Sequence, residues 1–121
     1  MHLSRAEFDR VVEEALAGLP PEFAELLENV AIVVEEEPSD DDLDALEDGG
    51  EDDELLGIYR GISRIERTHD RLPALPDQIA IFRGPILRLA RSRREAVREI
   101  RDTVIHELGH YFGLHDDDMV F

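Results

Sequence analysis

The sequence predicts an α+β domain in which helices at both ends flank about three short strands. Two segments, near residues 8–19 and 93–112, repeat their apolar residues with the 3.6-residue period of an amphipathic helix. Between them, aliphatic and β-branched segments indicate strands near 30–36, 54–60 and 78–83.

The N-terminal helix has a recognisable start and stop. Ser4 and Glu7 have the spacing of a capping box, in which each residue satisfies a main-chain N–H of the other. The apolar face is formed by Phe8, Val11, Val12, Ala15, Leu16 and Leu19. Pro20 and Pro21 end this helix, and a short second helix near 21–28 is expected because proline is favourable in a first turn.

A strongly acidic segment follows the first strand. In residues 35–54, 13 of 20 residues are Asp or Glu. Such a composition buries too little apolar surface to offset the entropy of ordering the chain. We therefore predict a flexible, solvated loop at about 37–53.

Composition excludes several classes of function. The first 59 residues hold 20 acidic residues and two arginines, and the whole chain has a net charge of -17. This charge argues against nucleic acid and anionic membranes as partners, because their phosphates would be repelled. The 121 residues predict a single domain over 1–121, and the lack of cysteine leaves only His and carboxylate to bind zinc. The charged N-terminus is not a signal peptide and no run spans a bilayer, so we expect a soluble, cytoplasmic protein.

The last predicted helix, 93–112, carries two histidines on its polar side. Ser92 and Glu95 form a second capping-box spacing, and Gly113 is the expected stop. On a helical wheel, His110 lies about 40° and Glu107 about 100° from His106. The apolar stripe, at about 120–200°, contains Val97, Ile100, Val104, Leu108 and Tyr111. The two imidazoles should therefore face a cleft while the stripe packs on the core.

The stretch HELGHYFGLHD has the chemistry of a zinc site. Residues four apart on a helix lie one turn above each other, so His106 and His110 can bind one ion. Glu107 is turned away by one residue step, from where it can take a proton from a zinc-bound water. A third ligand is needed, and both His115 and Asp116 follow within reach.

This stretch resembles the zincin metallopeptidases, within them the metzincin-like pattern H-E-x-x-H-x-x-G-x-x-[HD]. Residues 54–119 are similar to the short bacterial zincin-like family, described as candidate zinc metallopeptidases of unknown substrate. The resemblance implies a minimal zincin-like fold, with a small mixed sheet packed against the N-terminal helix and the long C-terminal active-site helix. It also implies Zn²⁺ as cofactor, His106 and His110 as ligands, and Glu107 as general base.

Asp116 is the predicted third ligand. It stands where metzincins usually have histidine and snapalysin-type enzymes have aspartate. Gly113 can adopt the left-handed conformation that turns the chain back beneath the imidazoles. His115, one residue earlier, would then point to the opposite face of an extended segment. Met119 comes only three residues after Asp116, which departs from the metzincin methionine turn.

Two functions follow from these features. The first is a zinc-dependent metallopeptidase-like hydrolase, in which Glu107 activates a zinc-bound water to attack a carbonyl of a peptide or protein substrate. That substrate would pair with an exposed sheet edge, at the strand near 54–60 or the one near 78–83. Tyr59, Tyr111 and several arginines are candidates to polarise the carbonyl. The alternative is a zincin-like metal-binding or regulatory module without peptidase activity, which the small size of the chain favours.

Overall fold

The computed structural model describes residues 1–44, 54–61 and 77–111, and it has the predicted α+β architecture. The helices are α1 Arg5–Ala17, α2 Pro21–Leu26, α3 Asp40–Asp44, α4 Arg83–Leu89 and α5 Arg93–Tyr111. A 3-10 turn, Leu27–Asn29, leads from α2 into the sheet. The strands are β1 Val30–Glu35, β2 Gly57–Arg60 and β3 Asp77–Phe82. The three predicted strands and the long C-terminal helix are therefore confirmed, with bounds that differ by a few residues.

The start of α1 has the predicted capping box. The main-chain N–H of Glu7 donates to Ser4 Oγ at 3.1 Å, and Ser4 N–H donates to Glu7 Oε1 at 3.0 Å. These bonds satisfy main-chain donors that a helix start leaves without partners, which is worth about 1 kcal/mol. The helix thus begins where the sequence indicates.

The strands form a mixed sheet in the order β1-β3-β2. Strand β1 pairs with β3 in parallel, and β2 pairs with β3 antiparallel. Because β3 is paired on both sides, the prediction that the strand near 78–83 could offer an edge to a peptide is wrong. In the part of the chain described, β2 is an edge strand.

One face of the sheet packs against α1 and α5. Side chains alternate across a strand, so the register sets Ile32, Ile79 and Tyr59 in one row on this face. The core also takes buried side chains from the helices, including Phe8, Phe23, Ile86, Ile100 and Val104. Each such side chain contributes about 1.5–3 kcal/mol when it is fully buried. This packing fixes the position of α5 beneath the sheet.

The other face of the sheet carries a partly buried ion-pair network. Arg60 donates from Nη1 and Nη2 to the two oxygens of Glu35 at 2.8 and 2.9 Å. It also donates to both oxygens of Asp42, at 3.1 and 2.8 Å. The bonds from Arg60 hold the pKa of Glu35 below its usual value. Burial opposes ionisation of Asp42, but bonds from Arg60 and Ser39 still keep the pKa of this carboxyl lowered.

Helix α3 occupies the start of the segment predicted as a loop over 37–53, because residues 40–44 are helical. Ser39 Oγ accepts from the N–H of Asp42, and Asp42 Oδ2 accepts from the N–H of Ser39. This reciprocal cap, together with the arginine partner of Asp42, gives an acidic segment enough specific contacts to become helical. Residues 45–53 lie outside the described part of the chain.

Helix α4 follows β3 directly. Its buried residues are Pro85, Ile86 and Leu87. Arg83 pairs with Glu36 at 2.9 Å, and Arg88 pairs with Glu37 and Glu54 at 2.8 Å each. Arginines of the second half of the chain thus neutralise acids of the first half. None of the helices described is long and apolar enough to cross a membrane.

Candidate metal site

Helix α5 buries one side in the core and leaves the two motif histidines exposed. Its buried residues are Ala96, Ile100, Val104, Ile105, Leu108 and Gly109. His106 and His110 both lie on the exposed side, as the helical wheel indicates. Ser92 Oγ accepts from the N–H of Glu95 at 3.1 Å and so caps the helix start. The core therefore sets the rotation of α5, and with it the direction of the histidines.

The helical wheel placed Tyr111 in the apolar stripe that packs on the core, and this prediction was wrong. Its side chain is 50% exposed, while Ile105 and Gly109 are buried instead. The ring of Tyr111 packs on Tyr59 of strand β2 and not in the core. Tyr111 therefore does not belong to the core-facing side of α5.

The imidazoles of His106 and His110 lie side by side. Their ring centroids are 4.2 Å apart, and the planes are tilted by 43°. This proximity is the consequence of the four-residue spacing on one helix. Two adjacent, solvent-facing imidazoles offer two nitrogen donors to a single transition-metal ion.

Glu107 reaches the outer edge of β2. Its Oε1 accepts a hydrogen bond from the main-chain N–H of Tyr59 at 2.9 Å. Strands β2 and β3 are antiparallel, and Phe82 N–H donates to Leu56 O, so Leu56 and Phe82 face each other as a hydrogen-bonded pair. By alternation, the N–H and C=O of Tyr59 point away from β3. Glu107, the residue after His106, is therefore held beside an edge strand.

Besides the bond from its N–H to Glu107, two side-chain contacts hold Tyr59 in place. Its ring stacks on Tyr111, with centroids 3.8 Å apart and planes 15° from parallel. Its hydroxyl donates to Asp77 Oδ2 at 2.8 Å. Beside the ring of Tyr111 lies Gly61, where a Cβ would come within 3.2 Å of ring and hydroxyl atoms. Nearby, a Cβ on Gly57 would come within 2.7 Å of Thr103 Cγ2, so α5 runs close against β2.

Comparison with known proteins decides the family. A family model described as "Zincin-like metallopeptidase" matches residues 27–120, which is most of the chain. The chain belongs to the zincin-like metallopeptidases.

A solved structure gives the same fold. A conserved hypothetical protein from Thermus thermophilus is similar to this zincin-like chain with a TM-score of 0.56 and 22% identity. The match covers 91% of this chain and 94% of that one. At that identity the likeness shows the fold alone. No curated protein matches the chain in sequence.

The donor set of the zincin-like site fits zinc in its chemistry. His106 and His110 supply imidazole nitrogens, and Glu107 stands close by as a carboxylate that is already engaged with Tyr59. Among residues 1–44, 54–61 and 77–111, no group of three metal-ligating side chains is assembled. Asp116, His115 and Gly113 lie outside these ranges, so Asp116 as third ligand stays a prediction.

Sequence reasoning missed the way in which β2 and α5 are joined. Tyr59 was considered only as a group that polarises a carbonyl, Tyr111 was considered in that role and as part of the apolar stripe, and Asp77 was not singled out. The contact depends on the register of β2 against β3, which short segments of sequence do not reveal. The one available signal was the alternation in GIYR, which places Tyr59 on the same face as the core residues.

Proposed function

We propose that this zincin-like protein is a zinc-dependent metallopeptidase-like hydrolase. The observation that carries the proposal is the exposed pair His106 and His110, with Glu107 between them in sequence and held at the edge of a strand. The carboxylate and the paired imidazoles are groups that metal-assisted hydrolysis uses, and an edge strand can bind an extended peptide.

His106 and His110 would hold a zinc ion, with Asp116 as the third ligand. Two histidines and one carboxylate are a ligand set that catalytic zinc sites use. When bound, zinc supplies a Lewis acid that lowers the pKa of a coordinated water towards about 7.

Glu107 is the general base. The N–H of Tyr59 donates to Oε1 of Glu107, which leaves Oε2 to accept the proton of the attacking water. A general base contributes about 10²- to 10⁴-fold to a rate. Glu107 then returns the proton to the leaving amine.

The substrate is an extended peptide or protein segment that pairs with the edge of β2. Main-chain pairing gives affinity with little demand on sequence, and outward N–H and C=O groups are needed for it. Alternation along β2 gives Gly57 such groups, as well as the C=O of Tyr59. A peptide-bound structure with the ligand remote from β2 would reject this part of the proposal.

One observation favours a second candidate, a metal-binding or regulatory module without peptidase activity. The carboxylate of Glu107 ties helix α5 to strand β2. That contact has a structural use even where no reaction occurs. Metal content does not separate the two candidates, because both bind zinc.

Hydrolysis of a broad peptide library separates them. The zinc-loaded wild type should cleave some members, and Glu107→Gln should be slower by about 10²-fold or more because an amide cannot accept the proton. Equal zinc content of the two proteins is the control. Unchanged turnover in Glu107→Gln excludes the role of Glu107, and no cleavage by the zinc-loaded wild type favours the module.

A further inference from the structure

Tyr111 is placed by a contact with one ring rather than by burial. It is the last described residue of α5 and directly follows His110. Half of its side chain is exposed, yet its ring lies 3.8 Å from that of Tyr59 and nearly parallel to it. Aromatic pairs at such a separation contribute about 0.5–1.5 kcal/mol beyond the area they bury.

Tyr59 is itself fixed from several sides. Its side chain packs against the core, and its hydroxyl is bonded to Asp77 at the start of β3. Its main-chain N–H is bonded to Glu107. The ring that Tyr111 stacks on is therefore tied to the sheet, and the residue that carries it also holds the proposed general base.

The end of a helix needs such a contact. The last four carbonyl groups of an α-helix have no partner within it, so the last turn frays unless other contacts hold it. In α5 the last described turn carries His110, and Glu107 lies one turn before Tyr111. Glycine at position 61 leaves the room that the ring of Tyr111 occupies.

We propose that Tyr59 and Tyr111 are positioning residues of the metal site. Their stack clamps the last described turn of α5 onto the edge of β2, and so keeps His110 and the Glu107–Tyr59 bond in one arrangement. The role towards zinc rests on the proposed function, whereas the clamp itself does not.

Zinc affinity tests the role towards the metal. Affinity is measured by competition with a chelator for the wild type, Tyr111→Ala and Tyr111→Phe. Contacts that orient ligands typically contribute 10- to 100-fold to metal affinity, so Tyr111→Ala should weaken binding by about 10-fold or more. Tyr111→Phe keeps a ring for the stack and should restore the wild-type affinity.

Leu89→Ala is the matched control, because Leu89 on α4 is 47% exposed and also loses a large apolar side chain. It should leave zinc affinity unchanged. If Tyr111→Ala and Leu89→Ala lower the thermal midpoint alike and both retain wild-type zinc affinity, Tyr111 is merely structural and the inference is overturned.

Hydrogen exchange tests the clamp in metal-free protein. The amide of Tyr59 should be protected by Glu107 in the wild type and in Tyr111→Phe, and should exchange at least about 10-fold faster in Tyr111→Ala. Tyrosine fluorescence gives a second readout, because the chain has no tryptophan and its two tyrosines are this pair.

The zinc-affinity test and the hydrogen-exchange test can fail independently of each other. If the wild type takes up no zinc but Tyr59 loses protection only in Tyr111→Ala, the proposed function fails and the clamp stands. Equal protection in all variants overturns the clamp, whatever the zinc affinity of the wild type.

Discussion

At the scale of single residues, the candidate site depends on the side of α5 that faces away from the core. The spacing of His106 and His110 was enough to predict that both are exposed together, because a helix has a fixed period. The bond between Glu107 and Tyr59 was not predictable in this way. It joins residues far apart in sequence, and it depends on how β2 lies over the helix.

The third zinc ligand is a prediction at this scale. We expect Asp116→Ala to lose zinc affinity by orders of magnitude, because a carboxylate that completes a three-ligand set is removed. His115→Ala should bind nearly as tightly as the wild type. Both variants are titrated with zinc against a competing chelator, and the reverse ranking would show that His115 is the ligand.

At the scale of elements, the prediction made from composition alone was wrong at the start of the acidic segment. The run of Asp and Glu indicated a flexible loop over 37–53, but residues 40–44 form α3. A local cap from Ser39 and a distant partner, Arg60, outweigh the repulsion. The edge position of β2 was likewise invisible in sequence, since strand order is a property of the assembled sheet.

The ion pair beneath α3 predicts a dependence on pH. Asp42 is only 6% exposed, so Asp42→Asn should lower the free energy of unfolding at pH 7 by about 1–3 kcal/mol, the cost of a weakened buried partner for Arg60. The pKa values of Glu35 and Asp42 are both lowered in the folded protein. Their contribution to the free energy of unfolding is therefore complete at pH values above about 4, the pKa of these groups in the unfolded chain. It is lost as the pH falls below that value.

Urea unfolding at pH 7 and near pH 2.5 measures this effect. The difference in the free energy of unfolding between wild type and Asp42→Asn should narrow at the lower pH, where the carboxylates of the unfolded wild type gain protons. Asp41→Asn is the control, because Asp41 lies on the same helix and is exposed. Equal losses in the two variants at pH 7 would contradict the assigned role of Asp42.

At the scale of the whole molecule, the uneven distribution of charge along the sequence allows ion pairs between its two halves. The acidic first half and the arginines of the second half meet in ion pairs, among them Arg60 with Asp42, Arg88 with Glu37 and Arg93 with Glu14. Apolar periodicity was sufficient to predict the two long helices, α1 and α5, and most of the face of α5 that packs on the core, and aliphatic segments were sufficient to predict the three strands. The pairing of strands, the arginine partners and the Tyr59–Tyr111 contact arise only on folding.

The central claim is that α5 carries a zinc site, and zinc uptake tests it most directly. The metal bound per chain is measured by elemental analysis after loading and dialysis, for the wild type and for a His106→Ala, His110→Ala double variant. A second double variant, His2→Ala with His69→Ala, also loses two histidines but leaves the motif intact. We expect about one zinc per chain in the wild type and in this control, and none in the first double variant, because paired imidazoles are the main ligands. Equal zinc uptake by both double variants would contradict the account.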